Sequence, residues 1–185
     1  VKTNVIEYVT IAQTGNAVDF GDSSLARSKP SGAQSQTRGL FMGGYNPTEL
    51  TTMNFITMST LGNTADFGDL TSTRRAGAGG GNSVRAIYAG GERYPSSLAV
   101  QTIDFITIAT LGNSIEFGDS ITGIGRGGSA NSPTRMVYNT GNYNSSPSGL
   151  EYIQIMTTGN SIDYGDLANG RWGPAGTSNG HGGLG

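Results

Sequence analysis

The stretch Thr102–Asp119, TIDFITIATLGNSIEFGD, decides the fold, because the chain carries it four times. The other copies are NVIEYVTIAQTGNAVDFGD from Asn4, TMNFITMSTLGNTADFGD from Thr52 and LEYIQIMTTGNSIDYGD from Leu150. Their closing aspartates, Asp22, Asp69, Asp119 and Asp166, recur at intervals of 47, 50 and 47 residues. Self-similarity at about 20–50 residues marks a repeat architecture. The 185 residues therefore read as a single repeat domain, with units at about 4–51, 52–101, 102–149 and 150–185.

Each unit resolves into four short segments. Leading to Asp119 they are RRAGAGGG (Arg74–Gly81), VRAIYAGG (Val84–Gly91), TIDFITI (Thr102–Ile108) and SIEFGD (Ser114–Asp119), the last a strand closed by a Gly-Asp turn. All are short for a helix, and β-branched and aromatic residues dominate three of them. In TIDFITI, Ile103, Phe105 and Thr107 fall on one face and Asp104, Ile106 and Ile108 on the other. Both faces are largely apolar, so the strand needs cover on both sides. Antiparallel sheets stacked face to face supply that cover without helices, and a radial stack of them is a β-propeller. The expectation is an all-β chain in which Phe55 and Phe105 are buried.

Composition narrows the function. Charged residues are 13% of the chain, against about 25% in an average protein. Net charge is −2 and the only lysines are Lys2 and Lys29, which argues against a nucleic-acid partner. No apolar run approaches the roughly 18 residues of a membrane span, so no membrane insertion is expected. Without cysteine there are no disulfides or thiolate metal sites. His181 is the single histidine, which leaves no His-based triad and no multi-histidine metal site. No cofactor is expected. The chain opens at Val1 without an initiator Met, as a processed chain or part of a longer one does.

Acidic residues recur in pairs: Asp19, Asp66, Glu116 and Asp163 each stand three residues before the closing aspartate. Calcium would need more oxygens than any copy clusters, so Asp22, Asp69, Asp119 and Asp166 are assigned to a structural turn. Two carboxylates suffice for glycoside hydrolysis. Here, however, they follow the repeat, whereas a catalytic pair should break it, so the chain reads as no enzyme.

The loops YNPTEL from Tyr45, RYPSSLAV from Arg93 and YNSSPSG from Tyr143 each hold one Tyr and one Pro. Loops on a rigid scaffold are where binding concentrates. Tyr45, Tyr94 and Tyr143 are thus the candidate ligand-binding residues, their rings stacking on sugars or filling a partner's pocket. In the alternative, each ring folds back over its own sheet.

These residues resemble the kelch repeat. Phe41–Gly44 (FMGG) and Ile87–Gly91 (IYAGG) match its double glycine, and Tyr8, Phe55, Phe105 and Tyr152 match its later aromatic. Arg27, Arg74 and Arg171 look like the arginine that opens its first strand, with Ile124 departing. Phe20, Phe67, Phe117 and Tyr164 stand near the place of its tryptophan, and Trp172 reads as core of the last unit. The resemblance implies a kelch-like β-propeller. Asn4–Asp22 offers third and fourth segments, and Arg171–Gly185 offers first and second. Pairing the ends would close four blades; otherwise the chain is a segment of a larger propeller.

ITIATLGNSIEFGD is also similar to repeats in large structural proteins of marine viruses, particularly tail-associated proteins of phages infecting cyanobacteria. That likeness implies a non-enzymatic part of a virion surface, extracellular, presenting loops to a host glycan or receptor. Its partners would be other virion proteins or further copies of itself. The alternatives are a purely architectural virion protein and an envelope polysaccharide hydrolase.

Overall fold

The computed structural model describes residues 2–94, 98–141, 147–171 and 173–178. Tyr143, Trp172, His181 and Leu184 lie outside them. The described residues form strands and turns with no helix, so the chain is all-β. A first, two-stranded sheet pairs β1 (Val5–Tyr8) with β2 (Val18–Asp22). A second runs β3 (Ser31–Gln34), β4 (Arg38–Met42), β5 (Leu50–Thr57), β6 (Ala65–Arg74). The third runs β7 (Ala78–Gly81), β8 (Arg85–Ala89), β10 (Leu98–Thr107), β11 (Ile115–Ile124), with β9 (Glu92–Arg93) on the end of β10. The fourth runs β12 (Ser129–Asn131), β13 (Arg135–Asn139), β14 (Gly149–Gln154), β15 (Ile162–Asp166). Every pairing is antiparallel, and each four-stranded sheet follows chain order.

The sheets stack face to face, and the core lies between them. Leu40, Met42, Met53 and Phe67 pack against Tyr88, Ile106 and Ile108 across the second and third sheets. Ile87, Ile103 and Phe117 pack against Met136, Ile153 and Ile155 across the third and fourth. Ile103 therefore serves one cluster while Ile106 and Ile108 serve the other, as a strand apolar on both faces requires. Burying each such side chain contributes about 1.5–3 kcal/mol.

Full burial of Phe55 and Phe105 is not what forms. Both are half-buried. Each ring meets the next strand edge-on, Phe55 with Phe67 at 5.9 Å and Phe105 with Phe117 at 6.0 Å. The outer ring face is covered by a guanidinium rather than by another sheet, Arg38 at 4.7 Å and Arg85 at 4.3 Å from the centroids.

The first strands of the three larger sheets, β3, β7 and β12, lie beside one another. Small residues permit it: a Cβ on Gly79 would stand 2.5 Å from the Gly32 carbonyl oxygen. Hydroxyls tie them together, Ser31 Oγ donating to Gly77 O and Ser129 Oγ to Gly79 O, both at 2.6 Å.

The Gly-Asp pair differs from a simple turn. Pairing shifts register opposite it, between Ile6 and Glu7, Met53 and Asn54, Ile103 and Asp104, and Leu150 and Glu151. It is a β-bulge. In β6 and β11 the strand runs on through it, while β2 and β15 end there. Gly21, Gly68, Gly118 and Gly165 share φ of 144°, 140°, 153° and 126°, a region that side chains rarely adopt.

Candidate functional site

The bulges are where neighbouring sheets join. The Gly-Asn turn before each last strand docks onto the bulge of the preceding sheet. Gly62 N donates to Phe20 O (2.8 Å), Thr64 N to Asp22 O (2.9 Å), and Asp22 N to Asn63 Oδ1 (2.8 Å). The same three bonds recur from Gly112, Ser114 and Asn113 to the Phe67–Asp69 bulge. They recur again from Gly159, Ser161 and Asn160 to Phe117–Asp119. A Cβ on Gly21, Gly68 or Gly118 would lie 2.4 Å from the docked carbonyl oxygen, so glycine is required by contact as well as by φ. What Asp22, Asp69 and Asp119 bring to the joint is thus their backbone, N–H and carbonyl both. Of their carboxylates, Asp69 takes the Thr51 hydroxyl at 2.7 Å, and Asp166 likewise takes that of Ser148 at 2.8 Å. Within the repeated acidic pairs, the carboxylates that accept a backbone N–H are Asp19, from Gly21, and Asp163, from Gly165.

Each joint has a second, buried layer. Asp104 accepts from Thr71 N (2.9 Å) and Ser114 Oγ (2.9 Å) and pairs with Arg74 at 2.5 Å. Arg74 is fully buried and also donates to the Gly90 and Thr102 carbonyls. Arg27 does the same with Gly43 O, Thr52 O and Asn54 Oδ1, and burial pulls its pKa down. Glu151 accepts from Ile121 N, Thr122 N, Thr122 Oγ1, Ser161 Oγ and Tyr138 OH. The buried acceptors Asn54, Asp104 and Glu151 were missing from the sequence-based candidates. Their signal was present, since the position reads Glu7, Asn54, Asp104 and Glu151 within otherwise apolar strands.

A third element is an arginine that spans sheets. Arg38 donates to Ile108 O at 2.6 Å and Arg85 to Ile155 O at 3.1 Å.

No protein-family model matches this chain, and no curated protein matches it.

At one end of the sheets the loops of Tyr45 and Tyr94 meet a network of charge. Arg75 pairs with Glu49 (3.1 Å) and Glu92 (3.2 Å) and lies over the Tyr45 ring at 4.9 Å, with Lys2 at 4.6 Å from the same ring. Lys29 and Arg126 also reach Glu92, at 3.5 and 2.9 Å. The structure therefore links the Tyr45 loop to the loop that carries Tyr94, and the two tyrosines differ. Tyr45 is half-buried between cations, whereas Tyr94 is 72% exposed beside exposed Arg93 and Leu98.

The cavities offer little chemistry. One of about 440 Å³, the size of a ligand site, is lined by the strands β3, β7 and β12 with Leu40, Ile56 and Met58, and no titratable side chain faces it among the described residues. Another, of about 540 Å³, includes Glu151 and Asp163. Five donors already occupy the roughly four lone-pair positions of Glu151, which suits a structural carboxylate rather than an acid catalyst. Among the described residues no three His, Cys, Asp or Glu side chains gather as a metal site.

Proposed function

We propose that this chain is a kelch-like β-propeller whose sheets are blades, and that it is a non-catalytic binding module. Four blades arise if the two ends of the chain share one. The module presents its loop rim to a host-surface glycan or receptor as a tail-associated part of a virion. The virion setting rests on the resemblance of ITIATLGNSIEFGD given above.

The observation that carries the binding reading is a separation of charge. Exposed carboxylates line the outer strands: Asp19, Asp22, Asp66, Asp69, Glu116, Asp119, Asp163 and Asp166. The loop rim instead gathers Lys2, Lys29, Arg75, Arg93 and Arg126 against Glu49 and Glu92. A rim with excess cations and a free aromatic ring suits a glycan bearing carboxylate or sulfate groups. A glycan array with neutral and acidic arms tests this. Binding to acidic glycans that falls at least tenfold in Tyr94→Ala and in Arg93→Glu is expected. Equal silence of both arms leaves the second reading, an architectural part packing on other virion chains. The grip of Lys2 and Arg75 on Tyr45 favours that second reading, since this ring is already engaged within the chain.

A further inference from the structure

Three junctions between sheets repeat one joint, and the two ends of the array hold the separate halves of a fourth. On the β15 side the bulge is open among the described residues. Among the described residues nothing lies within 4 Å of a Cβ on Gly165, whereas one on Gly118 meets a docked carbonyl oxygen at 2.4 Å. Tyr164 is 53% exposed, whereas Phe117 at the same repeat position is 3% exposed. Arg135 covers the Tyr152 ring at 4.5 Å, as Arg85 covers Phe105. Unlike Arg85, it donates to no carbonyl of a following sheet among the described residues. The complementary half lies in the first sheet. Asn16 holds the repeat position of Asn63, Asn113 and Asn160, and Glu7 that of Asp104 and Glu151. Neither side chain has a hydrogen-bond partner among the described residues, and both are exposed. Ile11 is 98% exposed, while its counterpart Ile155, whose carbonyl receives Arg85, is fully buried.

We propose that the Tyr164–Asp166 bulge is the docking site for the Thr14–Asn16 turn of this chain's own β1–β2 hairpin. This rests on the reading of the sheets as blades of one ring. The joint then consists of Gly15 N donating to Tyr164 O and Asp166 N to Asn16 Oδ1, with Arg135 reaching Ile11 O and Glu7 receiving the amides that follow Asp166. The occupant is this chain rather than a second copy because the chain itself runs on from the fourth sheet toward the second, beside which the hairpin stands. Gly176 stands 47 residues after Ser129, as Gly79 does after Gly32. It abuts β12, where its Cβ would lie 2.0 Å from Ser129 O, and residues 176–178 share a cavity wall with β3. Ala17 replaces the Thr64, Ser114 and Ser161 of the other joints, so this joint lacks their hydroxyl and is the weakest of the four.

The chain has no cysteine, so paired cysteines report directly. Asn16→Cys with Asp166→Cys, oxidised at low protein concentration, is expected to form a disulfide within monomers. Asn113→Cys with Asp69→Cys serves as the control for a joint of the same type. A control that closes while the terminal pair stays reduced, or closes only as dimers, overturns the proposal and leaves the glycan reading intact. The second measurement is melting. Asn16→Ala is expected to lower Tm by several degrees, as is Asn113→Ala, and an unchanged Tm in Asn16→Ala overturns the proposal whatever the cysteines show.

Discussion

At the scale of single residues, the most exacting position is Asp104. Its carboxylate neutralises Arg74, which is fully buried, and removing one partner of a buried pair strands the other charge. Asp104→Ala should therefore destabilise the chain by about 3–5 kcal/mol in urea unfolding. Asp104→Asn should cost clearly less, because the same position in the second sheet is Asn54, facing Arg27. Two glycines make a second comparison. Gly68 and Gly112 have nearly the same φ, 140° and 147°, but a Cβ on Gly68 meets Gly112 O at 2.4 Å and one on Gly112 meets nothing within 4 Å among the described residues. Gly112→Ala should show backbone strain alone, about 1–3 kcal/mol. Gly68→Ala should cost more, because the joint must open, and the difference in unfolding free energy reads out the contact.

Two tyrosines give stability a pH dependence. Burial raises the pKa of Tyr88, whose hydroxyl accepts from Gly77 N, and that of Tyr138, which donates to Glu151. Both phenols are held protonated in the folded chain, while in the unfolded chain they ionise near pH 10. The folded state then binds more protons than the unfolded state above that pH, so stability present below about pH 10 is lost as pH rises through it. Melting curves taken from pH 8 to 11 should show the decline, and Tyr88→Phe with Tyr138→Phe should flatten it.

At the scale of strands and turns, the joint is the unit of stability. Asn113→Ala removes one acceptor from the Asp69 amide and should cost about 0.5–1.5 kcal/mol. Phe105→Ala should cost less than the about 3–5 kcal/mol of a fully buried phenylalanine, since Arg85 rather than protein core covers one ring face. The strands themselves were legible: segment length, β-branched content and apolar residues on both faces of TIDFITI lead to stacked antiparallel sheets. The joints were not. A Gly-Asn pair within one unit reads as a local turn, and its partner bulge lies 41–44 residues earlier. The glycine of that bulge was visible as a repeated residue, but its φ and the carbonyl above it belong to the neighbouring sheet. Likewise the clamp on Tyr45 comes from Lys2 and Arg75, neither of which any periodicity connects to it.

At the scale of the whole molecule, opposite charge is sorted between the outer strands and the loop rim although the net charge is only −2. The chain should be retained on a sulfated matrix at low salt and released as salt rises, since the screening length falls from about 8 Å at 0.15 M to about 3 Å at 1 M. Arg93→Glu should elute earlier. Passage through the matrix without retention would count against an acidic glycan as ligand.

The span of the joints also governs how the chain assembles. Each of the three docked bulges awaits a turn only 41–44 residues further along, so a ribosome completes each joint soon after it releases the strand that needs it. Growth then resembles crystallisation from one face, each sheet templating the next and little unpaired edge standing open at any moment. Contacts at longer separation form against a larger loop entropy. Joining the Asn16 turn to Asp166 would be the one event of that kind, and therefore the last to occur.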